Sequence, residues 1–207
     1  TPAPAVLLAQ GFGGDKTDLA GTAQTLAEHG YVALAYTARG FGDSGGLIHF
    51  DSPKYEVHDA ELLVDYLTSL PQVDKTKIGV AGSSYGGGLA LLLAGYDQRI
   101  KAVAADITWN NLQHALFPNA AGNSPGVFKK LWAGTLFGNA FSSQLGALLD
   151  AAQNGDAPNV PKGTVSCGRF APDVCAAYQN AAETGTPNAA MRTLMAQASP
   201  ASILDRI

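Results

Sequence analysis

Ile78-Gly79-Val80-Ala81-Gly82-Ser83-Ser84-Tyr85-Gly86-Gly87-Gly88 decides the fold. Its first four residues suit a buried strand, and Gly82 to Gly86 fit the pattern G-x-S-x-G with Ser84 at the centre. That pattern has a steric meaning. A serine held on a tight turn between strand and helix lifts its hydroxyl above the sheet, and side chains two positions away on either side would clash. The N-terminus of the following helix then directs amide hydrogens and a positive dipole end at the same place. A bare G-x-S-x-G arises by chance, so its weight comes from the flanking elements.

Those elements agree. Working outward, Val6–Gln10 is a short apolar run closed by the glycine turn Gly11-Phe12-Gly13-Gly14-Asp15. A helix is expected over Thr17–His29, with Leu19, Ala23, Leu26 and Ala27 on one face and Gly30 as its stop. Tyr31–Tyr36 reads as a buried strand, and Ser52-Pro53 as the cap and first turn of a helix striped by Val57, Leu63, Val64 and Leu67. Lys77–Ala81 and Ile100–Ala105 read as further strands, with a small-residue and leucine helix over Ser84–Gly95 between them. Strands that are continuously apolar and separated by helices predict an α/β fold, a mostly parallel sheet with helices on both faces. From Asp106 onward the pattern is helical, with pieces near 110–117, 126–136, 140–152, 173–183 and 188–197. The organisation expected is a core over 1–110, a helical lid-like insertion over 111–200, and a return toward the core over 201–207.

Composition excludes several functions. The 207 residues carry 13 Lys+Arg against 17 Asp+Glu, a net charge of −4, with no basic cluster for nucleic acid. The longest apolar run, Leu89–Ala94, is far too short to span a bilayer. The opening TPAPAVLLAQG has no charged n-region or long apolar h-region, and is expected to belong to a processed or trimmed chain. Four scattered histidines, at 29, 49, 58 and 114, make no HExxH-type metal site, and no metal or organic cofactor is required. The glycines after the first strand lack the lysine-serine pair of a phosphate loop. The two cysteines, Cys167 and Cys175, are either buried thiols or a disulfide closing a loop that contains Gly168 and Pro172. A disulfide would indicate an oxidising, secreted setting.

Ser84 as a nucleophile needs an oxyanion hole. The residue after it, Tyr85, supplies one backbone N–H, and the loop after the first strand supplies another, best placed at Phe12. Trp109, Leu112, Phe117 and Phe128 are candidates for an apolar substrate wall, with core packing as the alternative for each. Asp106, at the end of the fourth strand, is either a turn-capping carboxylate or an acid near the site.

The segments GSSYGG (82–87), ARGFGDSGG (38–46) and HDAELLVDYL (58–67) together resemble the α/β-hydrolase superfamily. Within it they are similar to the Xaa-Pro dipeptidyl-peptidase (S15) and cocaine-esterase-like hydrolases, over residues 5–113. The resemblance implies ester, amide or peptide hydrolysis through an acyl-enzyme on Ser84. Some relatives use a tyrosine hydroxyl in the oxyanion hole. Phe12 has none, so backbone donation is implied here. Thr37 stands where many relatives carry Asp.

The order implied is serine, then acid, then histidine. Only His114 follows Ser84. It reads as a lid-helix residue on the active-site side, able to line the pocket. The resembled families continue past a phrase like SPASILDRI into two more strands that carry the acid and the base. The expectation is therefore that a C-terminal segment of the same protein supplies both, and that this chain alone turns over little. A fold kept as a non-catalytic interaction module, or an acyltransferase on the same residues, are the alternatives.

Overall fold

The computed structural model describes residues 1–121, 124–137 and 167–207. Four strands form one sheet: β1 Ala3–Ala9, β2 Val32–Ala35, β3 Val73–Ser83 and β4 Ile100–Asp106. Their order is β2-β1-β3-β4 and every pairing is parallel. Helix α1 (Ala20–Glu28) joins β1 to β2, α2 (His58–Ser69) precedes β3, and α3 (Tyr85–Tyr96) joins β3 to β4. Apolar alternation is absent in β1 because both its faces are covered; Leu7 and Leu8 are both buried.

Several local expectations shift. The first helix begins at Ala20, not Thr17, because the Thr17 amide is taken by the Asp15 carboxylate in a preceding turn. Its apolar face is only half-buried, and Ala27 is exposed. Strand β2 is shorter than expected and half-buried, since β1 flanks it on one side only among the described residues. Strand β3 runs well beyond Lys77–Ala81 at both ends. Ser84 lies outside the α3 helix, as its cap residue. Strand β4 pairs with β3, yet Lys101, Ala102, Ala104, Ala105 and Asp106 are exposed.

Before α2 the chain makes one wide π-turn, Pro53–Val57, with the Val57 N–H donating to the Ser52 carbonyl over 3.2 Å. Ser52 caps it by accepting from the Lys54 N–H. The five-residue span of that bond places Glu56, one position later than in an α-helical capping box, where it reaches back to the Ser52 N–H at 2.9 Å.

The later chain is helical: α4 Leu112–Leu116, α5 Lys130–Phe137, α6 Pro172–Thr184 and α7 Ala189–Gln197. The helix expected at 140–152 lies outside the described residues. Cys167 and Cys175 are joined, with Cα atoms 5.6 Å apart. Residues 200–206 form two 3-10 turns where a strand approach was expected, and Ile203 returns to the core against Gly95.

Two apolar clusters result. One lies around the sheet, α2 and α3. The other sits at the carboxyl ends of the strands, between the loops that follow β1 and β2 and the helices α4 to α7.

Candidate active site

Ser84 stands at the junction of β3 and α3 with φ 54° and ψ −117°, and it is exposed. A non-glycine residue in that region is strained by about 1–3 kcal/mol and persists only where its surroundings over-determine it. The surroundings do. The Ser84 N–H donates to the Asp106 carbonyl at 2.9 Å, while its own carbonyl accepts from Gly87 and Gly88 at 3.1 Å each. A Cβ on Gly82 would lie 2.2 Å from the Gly86 carbonyl oxygen, and one on Gly86 would lie 2.2 Å from that of Ala9. Both glycines are therefore obligatory, because strand β1, strand β3 and helix α3 meet there backbone to backbone. Gly87 and Gly88 let Thr108 and Trp109 lie close to the helix start, 2.9 and 2.7 Å from where a Cβ would sit.

Tyr85 is the first helical residue, whose amide has no intrahelical acceptor by position. Its ring is buried against Phe12, Phe41 and Phe50, with centroids 5.6, 5.6 and 6.0 Å away, and its hydroxyl accepts from the Asp51 N–H. Phe12 lies in the loop after β1. That loop passes beside the elbow: a Cβ on Gly11 would be 3.8 Å from the Ser83 carbonyl oxygen. Gln10 clamps it. The buried amide donates to the Gly14 carbonyl and accepts from the Ala38 N–H, tying the loops after β1 and β2 together. Thr37 adds a second tie, its hydroxyl accepting from the Lys16 N–H. Arg39, in the ARGFGDSGG segment, holds Asp59 of α2 through two bonds of 2.6 and 2.7 Å.

Asp106 pairs in register with Ser83 and its side chain is exposed. Ile107 follows with φ 39° and is 80% exposed, an outlier for a β-branched residue. Trp109 is half-buried; its indole N–H donates to the Ala198 carbonyl at 2.7 Å and its ring leans over Phe50. Phe117 is fully buried and stacks on Phe128. His114 is exposed on α4, where its backbone N–H is taken by the Asn111 cap. His49 stacks on Tyr55, His58 pairs with Glu61, and the His29 ring meets the Thr25 carbonyl. None of the four histidines is hydrogen-bonded to Ser84. Among the described residues no three His, Cys, Asp or Glu side chains are grouped to hold a metal.

Two buried acids of the segment between β2 and α2 escaped the sequence reading. Asp51 is fully buried at φ 55°, next to Phe50 at φ 64°. Burial, and then the charge of Glu56, push its carboxyl well above the usual range; the Tyr85 hydroxyl pulls the other way, but neither carboxyl oxygen has a partner in bonding geometry. Burial also raises Glu56, to about 7, against the stabilising N–H donors of His49 and Ser52. Only the serine-proline cap hinted at Glu56. Nothing local marks Asp51 or the tie from Gln10 to Ala38, because those partners lie more than 25 residues away in sequence.

The parallel order, the crossover helices and the strained residue between β3 and α3 are those of an α/β-hydrolase. The fold aligns over its whole length with 68% of the α/β-hydrolase GrgF from Penicillium sp. sh18, with a TM-score of 0.57 at 18% identity. More specifically, the X-Pro dipeptidyl-peptidase (S15) family pattern matches residues 1–201, and the chain belongs to that family. It is 42% identical over 101 residues to the uncharacterized protein YcjY of Escherichia coli, an overlap of 48% of this chain and 33% of that protein. It is 35% identical over 104 residues to a thiohydrolase of Eupenicillium brefeldianum, covering 49% of this chain and 34% of the relative. The chain thus spans about a third of the length of these curated relatives.

Proposed function

We propose that Ser84 is the nucleophile of a serine hydrolase that cleaves an ester, amide or peptide bond through an acyl-enzyme. The observation that carries this reading is the exposed serine at φ 54°, wedged by two glycines that cannot carry a Cβ. Strain of that kind clusters at functional sites, active sites among them. In the reaction the Ser84 hydroxyl oxygen attacks the substrate carbonyl carbon. The backbone N–H groups of Tyr85 and Phe12 receive the negative charge on the carbonyl oxygen. Collapse expels the alcohol, thiol or amine, and water then releases the acyl group by the same path. A thiol leaving group agrees with the name of the thiohydrolase relative.

The proton from Ser84 needs a base. No histidine in this chain is hydrogen-bonded to it, and the curated relatives are about three times longer than the matched portion. We assign the base and its carboxylate partner to polypeptide beyond this chain, packing beside the exposed β4. The chain alone is then a poor catalyst. The Cys167–Cys175 bridge supports a secreted location, and no described helix is long and apolar enough to cross a membrane.

The test pairs this chain with a longer polypeptide that includes the downstream sequence. The longer form should hydrolyse an activated ester and take up a fluorophosphonate on Ser84, and Ser84→Ala should lower kcat on the order of 10³-fold or more. Equal hydrolysis by Ser84→Ala defeats the assignment of the nucleophile. Rapid Ser84-dependent labelling of this chain by itself defeats the assignment of the base.

A further inference from the structure

Phe12, the second oxyanion donor of the proposed mechanism, sits in a loop that belongs to no strand or helix. Gly11 precedes it, and Gly13 and Gly14 follow, with Gly13 at φ 83°. Glycines leave such a backbone free to move. Gln10 fastens the ends of the loop by donating to the Gly14 carbonyl. Between those ends the anchor is the ring of Phe12. It meets Phe41 and Tyr85 edge-on at 5.0 and 5.6 Å, and it stacks on Phe170 at 5.6 Å with the planes 17° apart.

Phe170 belongs to a strap closed by the Cys167–Cys175 bridge. The Phe170 N–H donates to the Cys167 carbonyl at 3.1 Å, and the Cys175 N–H to that of Ala171 at 2.9 Å. Phe170 and Ala171 are buried, and Phe137 backs the Phe170 ring at 4.0 Å. Arg169 reaches the other way. Its guanidinium donates to the carbonyls of Gly42 and Ser44, in the turn that follows Phe41. The strap therefore meets Phe12 twice, directly through Phe170 and indirectly through the segment that holds Phe41.

We propose that Phe170 is a positioning residue of the oxyanion hole, holding the Phe12 N–H in place, and that the Cys167–Cys175 bridge locks it there, so that turnover depends on the bridge being oxidised. The catalytic half of this proposal rests on Ser84 being the nucleophile with Phe12 as a donor; the fixing of the loop by the strap does not. A segment cross-linked across eight positions has few conformations open to it. Once the bridge opens, the strap gains conformations, Phe170 leaves Phe12 for part of the time, and the N–H strays with the loop. A donor displaced by about 1 Å costs roughly tenfold to a hundredfold in rate.

Dithiothreitol opens the bridge. Its two thiols pass two electrons and two protons to the Cys167 and Cys175 sulfurs, which become thiols as the reagent closes to its own disulfide. In this chain, labelled with ¹⁵N-glycine, reduction should shift or broaden the amide resonances of Gly11, Gly13 and Gly14. Those of Gly79 in β3 and Gly95 in α3 should stay in place. The paired change Cys167→Ser with Cys175→Ser should act in the same way without the reagent. Loop resonances that do not move overturn the proposal, and so does an equal change at Gly79 and Gly95, which marks a general loss of packing.

The longer polypeptide tests the chemistry. Reduction, and Phe170→Leu with the bridge intact, should each lower kcat for an activated ester by about tenfold to a hundredfold and leave KM within about twofold. A trifluoromethyl ketone takes Ser84 as a hemiketal bearing an oxyanion, so its affinity should fall in step with kcat. A merely structural strap would lower the folded fraction, and kcat with it, but leave the ketone's affinity for the remaining enzyme unchanged. Unchanged ketone affinity therefore overturns the proposal. Absence of Ser84-dependent hydrolysis removes the hydrolase reading and the catalytic half with it, while moved loop resonances still uphold the strap.

Discussion

Beneath the elbow, Leu7, Leu67, Ile78, Leu92 and Leu93 have no exposed surface, and the backbones of β1, β3 and α3 approach so closely that only glycine fits between them. Above it, the helical layer is filled with rings: Phe137 stacks on Phe170 at 4.0 Å and on Tyr178 at 4.1 Å, and Phe170 stacks on Phe12 at 5.6 Å. Phe50, Leu116, Phe137 and Met191 each keep 6% to 8% of their surface. The first region defines positions to within a fraction of an ångström. The second defines an environment, and can change its filling without changing its frame. On the function proposed above, catalysis would draw on the former at Ser84 and substrate choice on the latter in the helical layer.

The sharpest way to break this contrast is to add one methyl group at the elbow. Gly86→Ala would set a carbon 2.2 Å from the Ala9 carbonyl oxygen and 2.6 Å from that of Gln10. Neither atom is a flexible tip, so α3 must part from β1. A loss of about 4 kcal/mol or more is expected, with the melting temperature falling by about 10 °C or more. A near-normal melt would mean that the strand and helix can slide apart cheaply, and the elbow would lose its rigidity argument.

A smaller effect sharpens the boundary between the two regions, where Glu56 closes the 49–52 loop. Its pKa rises from the ordinary 4.5 to about 7 on folding, because burial penalises the charged form. Below pH 4.5 the group is protonated in both states and costs nothing. As pH rises through 7 the folded carboxyl is forced to ionise, and up to about 3 kcal/mol of stability is lost. Asp51 shifts in the same direction, while the burial-depressed His49 acts oppositely. Denaturant melts between pH 4.5 and 7.5 should show this decline, and Glu56→Gln should flatten it. An unchanged pH slope in that variant would remove Glu56 as its source.

The same contrast governs what could be read from sequence. Strands β1 and β3, helix α3 and the place of Ser84 were legible, because hydrophobic runs and a fixed glycine spacing are local signals. The disulfide was legible as one of two options from spacing. The boundary of α1 was missed because Asp15 competes for the Thr17 amide, and the π-turn at Pro53–Val57 because one extra residue in a turn leaves the apolar stripe intact. The layer above the elbow was least legible. Phe170 reaches Phe12 because the backbones of Ile48 and residues 169–171 pair, the Ile48 N–H donating to the Arg169 carbonyl at 2.8 Å and the Ala171 N–H to that of Ile48 at 2.9 Å. No periodicity encodes a pairing across more than a hundred residues.

The mildest probe uses a glycine with the opposite surroundings. Gly21 lies in the first turn of α1, and a Cβ built there meets nothing within 4 Å. Its φ is not in the left-handed region, so alanine adopts the native backbone without strain. Alanine loses less chain entropy on folding and favours the helix, so Gly21→Ala should stabilise by about 0.5–1 kcal/mol, visible as a rise of about 1–4 °C in Tm. The same methyl group would then raise stability at residue 21 and wreck it at residue 86. If Gly21→Ala also destabilised, α1 would have to be packed against a surface that the described residues do not contain, and the difference between the two glycines would report that surface and not the tightness of the elbow.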